Sequence, residues 1–168
     1  MCVCVGVCVL EGEAYDEVNV AQSIEEPMQR IEVALDSGAG EHVASKTVAP
    51  AYAISESAGS RAGQHFVAAG GARIRNEDQF TLRLRSGRLG RHEGKDINST
   101  FQVAKVTRPL WSVGRICDEG FDVKFSKESA VVQTKEGKDV CKFKRKGGLY
   151  VTELHLKHEP KPFIRRGT

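Results

Sequence analysis

From Met28 onward the chain alternates apolar and polar positions with a period of two, the mark of strands with one buried face. Ile31, Val33 and Leu35 alternate with Glu32 and Ala34, and this first strand ends at Asp36. "FTLRLRS" alternates through Phe80, Leu82 and Leu84. "STFQVAKV" does so through Phe101 and Val103, with Val106 one step out of phase, and Pro109 then breaks the strand. Four further runs, "FDVKF", "AVVQT", "VCKFK" and "LYVTELHL", are separated by turns at Lys135-Glu136-Gly137 and Gly147-Gly148. In "LWSVGRICDEG" the spacing of Val113, Ile116 and Cys117 predicts a short helix stopped by Gly120. "QHFVAAGGARI" holds two short apolar runs, Phe66 to Ala68 and Ala72 to Ile74. They are joined at Gly70-Gly71, a hairpin signal because glycine supplies the positive φ of a tight turn. Residues 44–63, rich in Ala, Ser and Gly, read as a long loop, and "GRLGRHEGKD" as a basic, glycine-rich connection. The pattern is that of a mainly β domain with one short helix.

Composition narrows the picture without changing it. The chain has 168 residues, 40% hydrophobic and 28% charged, enough for one domain with a real core. Aromatic residues make up only 7% and glycines number 17, which favours turns and short strands over long helices. A net charge of +3 is too small to argue for nucleic acid, which needs clustered basic residues. The run Lys142 to Lys146 reads instead as a solvated edge strand protected by its lysines. The opening "MCVCVGVCVL" is stopped by Glu11 and Glu13, short of the ~20 residues of a membrane span, and it lacks the basic start of a signal peptide. Residues 1–27 therefore read as a linker or non-native start, with one weak strand at Val18 and Val20.

Cys2, Cys4 and Cys8 crowd the first ten residues while Cys117 and Cys141 stand far apart, so no disulfide framework is expected. That usage suits a reducing, intracellular and cytoplasmic setting. His42, His65, His92, His155 and His158 are scattered, and there is no CxxC pair, so neither a metal nor another cofactor is expected. Trp111 reads as a core residue.

The chemistry concentrates in "LDSGAGEHV", where an apolar strand delivers Asp36 into a turn of small residues. Hydrolysis of a peptide by paired carboxylates requires two of them sharing one proton. No second Asp-Ser-Gly or Asp-Thr-Gly occurs: Asp96 precedes Ile-Asn, Asp118 precedes Glu-Gly and Asp122 precedes Val-Lys. The triplet, the double-glycine hairpin and Ser112-Val113-Gly114 opening a helix follow one another in an order that resembles the retropepsin family of aspartic proteases. The chain is most similar to the protease region of copia-type retrotransposon (Gag-Pol) polyproteins, from about Met28 to Leu156. "FQVAKVTRPLWSVGRICDEGFDVKFS" is the most specific segment, and "KGGLYVTELHL" resembles the junction into the pre-integrase region.

The resemblance implies a closed β-barrel of the acid-protease half type over residues 28–126, with one short helix and a flap hairpin. A C-terminal β-hairpin extension would follow at 127–156 and a tail at 157–168. It implies Asp36 as the catalytic carboxylate, Ser37 as a hydroxyl bonding across a dimer axis, and Gly38 as the turn that admits substrate. Ala39, Phe66, Val67, Ala69, Gly70, Gly71, Val113 and Gly114 would bind the substrate. Arg115 would pair with an aspartate at the position held here by Gly40, which makes Glu41 the nearest substitute. The implied partners are a polypeptide substrate and a second copy of the chain, since one chain supplies one carboxylate. Neither a membrane nor nucleic acid is expected. Two alternatives stay open: an inactive retropepsin-like module that dimerises or binds peptides without cutting them, and a nucleic-acid-binding fragment.

Overall fold

The computed structural model describes residues 28–87 and 93–158; the reading of residues 1–27, of 159–168 and of the centre of the basic connection lies outside them. The strands are β1 (Gln29–Asp36), β2 (Val43–Ala44), β3 (His65–Val67), β4 (Arg73–Arg75), β5 (Asp78–Ser86), β6 (Asp96–Val103), β7 (Leu110–Ser112), β8 (Asp122–Phe125), β9 (Ser129–Gln133), β10 (Asp139–Lys146) and β11 (Leu149–Leu156). Two helices, α1 (Ala58–Arg61) and α2 (Val113–Asp118), complete the described elements with a 3-10 turn at Lys46–Val48. The protein is thus mainly β, with nine strands in one large sheet and β3–β4 forming a separate hairpin. No helix among the described residues is long and apolar enough to cross a membrane.

The period-two pattern translates directly into packing. In the β5–β6 pair, Phe80 faces Phe101 and Leu82 faces Ser99 across the ladder on the buried side. Thr81 and Thr100 meet on the exposed side, their hydroxyls 2.8 Å apart. Phe80, Leu82, Leu84, Phe101, Phe143 and Leu154 are fully buried and form the centre of the core. Such rings and branched chains contribute roughly 1.5–3 kcal/mol each when buried. Val106 lies beyond the end of β6, in the loop that leads to Pro109, which accounts for its being out of phase.

β1 is antiparallel to β11, from Gln29 opposite Leu156 to Leu35 opposite Tyr150, and parallel to β7 at its C-terminal end. β7 pairs with β2, β2 with β6, β6 with β5, and β5 with β11. Following the ladders from β1 therefore leads back to β1, while β10, β9 and β8 continue outward from β11. β11 exchanges its second neighbour along its length, β10 at Leu149–Val151 and β5 at Leu154–Leu156. The buried positions shift phase between Val151 and Leu154, where that exchange occurs.

Four expectations are corrected. Residues 127–156 do hold the antiparallel β10–β11 hairpin, but it is not an appended extension, because β11 runs beside β1 and β5 within the main sheet. The segment 44–63 holds α1, closed by reciprocal Ser57–Ser60 capping bonds, and the 3-10 turn, so the helix at 113–118 is not alone. β10 lies between β9 and β11 in the sheet, paired with β9 over Asp139–Lys144 and with β11 over Lys144–Lys146, so it is not an edge strand, and Lys142 and Lys144 alternate with the buried Cys141 and Phe143. In α2 only Ile116 is buried, and Cys117 faces solvent. That helix ends as its sequence predicts: Gly120 adopts φ +90°, and Phe121 and Gly120 donate their N–H groups to the carbonyls of Ile116 and Cys117.

Candidate active site

Asp36 is the last residue of β1, and the parallel register sets it opposite Ser112, the last residue of β7. Its Oδ1 accepts the backbone N–H of Gly38 at 2.8 Å, so the carboxylate closes its own turn. A Cβ on residue 38 would sit 3.3 Å from that same oxygen, a tight contact that glycine avoids. Ser37, between Asp36 and Gly38, is exposed.

Ser112 is fully buried and ties the turn to the rest of the fold. Its hydroxyl donates to the carbonyl of Ala39 at 2.6 Å and accepts the N–H of Arg115 at 3.2 Å, which makes it the N-cap of α2. Its own N–H donates to Nδ1 of His42 at 3.0 Å. His42 is only 4% exposed, and its pKa falls from 6.5 to about 4, chiefly through burial, with Glu41 opposing the fall and Arg115 adding to it. The imidazole is therefore neutral at ordinary pH, with Nδ1 as acceptor and the proton on Nε2.

Glu41 takes the place proposed for it beside Arg115. The guanidinium donates from Nε to Oε2 at 2.7 Å and from Nη2 to Oε1 at 2.6 Å, the two-pronged geometry that suits arginine and carboxylate. This pairing holds the Arg115 pKa above its ordinary value. The fork links the residue after Gly40 to the first turn of α2, so the turn is fastened at Ala39 and again at Glu41.

A cleft of about 570 Å³ opens between this turn and the β3–β4 hairpin. Asp36, Gly38 and Ala39 line it from the turn, and Phe66, Val67 and Ala69 from the hairpin. Gly70 and Gly71 are at the hairpin tip and do not line the cleft, while Val113 and Gly114 lie outside it at the start of α2. Only Gly71 of the glycine pair has positive φ, +83°; the loop is the three-residue kind that ends in one left-handed residue. The loop after β6 supplies cleft residues that the sequence did not single out, among them Val106 and Arg108. A second groove of about 480 Å³ touches Asp36 and Ser37 from another side, with Phe125, Leu149 and Tyr150 along it.

Ser112 and His42 were not assigned to the site from sequence. A serine directly before a helix is an N-cap signal, but nothing in a lone histidine announces that it will bind a backbone N–H seventy residues away. Among the described residues no group of three or more His, Cys, Asp and Glu is placed to hold a metal ion.

Two carboxylates border the cleft, Asp36 and Glu41. Glu41 is committed to Arg115, and Asp36 keeps an oxygen beyond the one that closes the turn. Comparison with protein-family models, with curated proteins and with solved structures finds no match to this chain.

Proposed function

We propose that the chain is an aspartic endopeptidase of the retropepsin type, which hydrolyses peptide bonds as a symmetric homodimer with one Asp36 from each chain. The observation that carries this reading is a carboxylate with one oxygen left uncommitted at the border of a cleft faced by a hairpin. One ionised Asp36 takes a proton from water as its oxygen attacks the scissile carbonyl. The protonated partner Asp36 donates to the carbonyl oxygen, and a proton passes to the leaving amine as the C–N bond breaks. The cycle of ladders from β1 back to β1 supports a closed barrel as the body of the enzyme. The groove beside Ser37 supports a dimer face there, since Phe125 and Leu149 leave 48% and 43% of their surface exposed. The likeness of the motifs to copia-type elements makes a polyprotein inside the cell the natural substrate.

The test is peptidase activity against protein concentration. A shared site predicts a rise steeper than linear through the monomer–dimer transition, a bell-shaped profile on the acidic side of neutral, and loss of activity in Asp36→Asn with the fold retained. Absence of cleavage across a broad peptide library at acidic to neutral pH, from a proven dimer, would replace this reading with that of a peptide-binding module.

A further inference from the structure

Adjacent residues of a strand point to opposite faces, and β7 uses both. Leu110 lines the cleft, whereas Trp111 lines a separate cavity of about 400 Å³ on the other side. Its apolar walls come from Ile97, Phe121, Val132 and Val140. His42 also lines it. Because Nδ1 is occupied by the Ser112 N–H, the remaining donor is Nε2–H. That donor has no hydrogen bond: its nearest acidic oxygen, Oε1 of Glu119, is 3.7 Å away. The Trp111 Nε1–H is by contrast satisfied by Ser99 Oγ at 2.8 Å. The cavity is thus a greasy pocket of ligand size with one donor, on a buried ring, that no acceptor among the described residues takes.

The charge around it defines what the donor would accept. Glu119 beside Nε2 repels an anion, and the rim mixes Lys95 and Lys138 with Asp96 and Asp139. The two lysines offset the two aspartates, and Lys157, bonded to Asp96, offsets Glu119, so no strong field of either sign remains to select a charged ligand. We infer that this cavity is a second binding site, for a neutral molecule of one or two aromatic rings carrying a single carbonyl-type acceptor that takes the His42 Nε2–H. The ligand would touch His42, and through it Ser112 and the Ala39 carbonyl, so that occupancy is felt at the Asp36 turn.

Trp111 is the single tryptophan of the chain, so its indole N–H gives one isolated signal in a ¹⁵N-labelled sample. Titration with acetophenone is expected to move that signal saturably and to shift the Ser112 amide with it. Ethylbenzene, which has the same shape without the oxygen, should bind at least fivefold more weakly, in keeping with one lost hydrogen bond. Val140→Phe, which fills the cavity, should abolish both shifts. His42→Asn, which keeps an acceptor for the Ser112 N–H but lacks the Nε2 donor, should make the two probes bind alike. Asp36→Asn should bind acetophenone as the unmodified chain does, which separates this site from the peptidase reading. No saturable movement, movement that survives Val140→Phe, or equal affinity for the two probes in the unmodified protein would each overturn the inference. The last comparison needs no variant to fold.

Discussion

Ser112→Ala removes the hydroxyl that fastens the Asp36 turn to the start of α2. Only one oxygen atom is removed, so the cavity left at this fully buried position is small and the cost is mainly that of two hydrogen bonds. Loss of the N-cap to the Arg115 N–H costs about 1 kcal/mol. The Ala39 carbonyl loses its 2.6 Å donor, and because Ala39 is half-buried, water replaces it in part, adding about 1 kcal/mol. The sum is about 2 kcal/mol. With a urea m-value of roughly 2 kcal/mol/M for a domain of this size, the unfolding midpoint should fall by about 1 M. The loss should also be local. Amide exchange at Gly38 and Ala39 should accelerate well beyond the change at Phe80 and Phe101, whose ladder the substitution does not touch. A midpoint shift below about 0.3 M, or exchange that speeds uniformly, would refute the role of Ser112 as the tie between turn and helix.

The two hairpin glycines should respond differently: Gly71→Ala forces a left-handed residue with a Cβ and costs about 1 kcal/mol, while Gly70→Ala, at ordinary φ and with open space around it, is close to neutral in the same urea assay. His42 should make the fold acid-sensitive. Its folded pKa of about 4 lies below the unfolded 6.5, so the unfolded chain binds the extra proton and stability declines as pH falls from 6.5 to 4, by about 3 kcal/mol, with no further loss from this group below that. Chemical denaturation across that range should show the slope, and His42→Asn should flatten it. Glu41→Gln should lower stability by about 0.5–1 kcal/mol at low salt, the scale of a partly exposed ion pair, with a smaller difference at high salt.

The strands were legible because burial on one face writes itself as alternation, and "FTLRLRS" and "STFQVAKV" became the β5–β6 pair at the heart of the core. What local pattern does not carry is which strands meet. The parallel β1–β7 ladder that sets Asp36 opposite Ser112, and the β1–β11 ladder that absorbs residues 127–156 into the sheet, join distant segments. α1 escaped notice because four residues show no period; its signal was the pair Ser57 and Ser60, which cap each other. Within the site, Asp36, Gly38 and the Glu41–Arg115 pair were readable from motif and departure from motif. His42 was not, since its partner is a backbone N–H that any residue could offer.

The central claim is that a working site contains one Asp36 from each of two chains. It is tested most directly by mixing unmodified protein with Asp36→Asn at constant total concentration, well above the dimer dissociation constant. If both carboxylates are required, only dimers of two unmodified chains cleave, and an equal mixture retains about one quarter of the activity of the unmodified protein, with a quadratic dependence on its fraction. A linear dependence, with about one half retained, would mean that each chain works alone and would contradict the shared site.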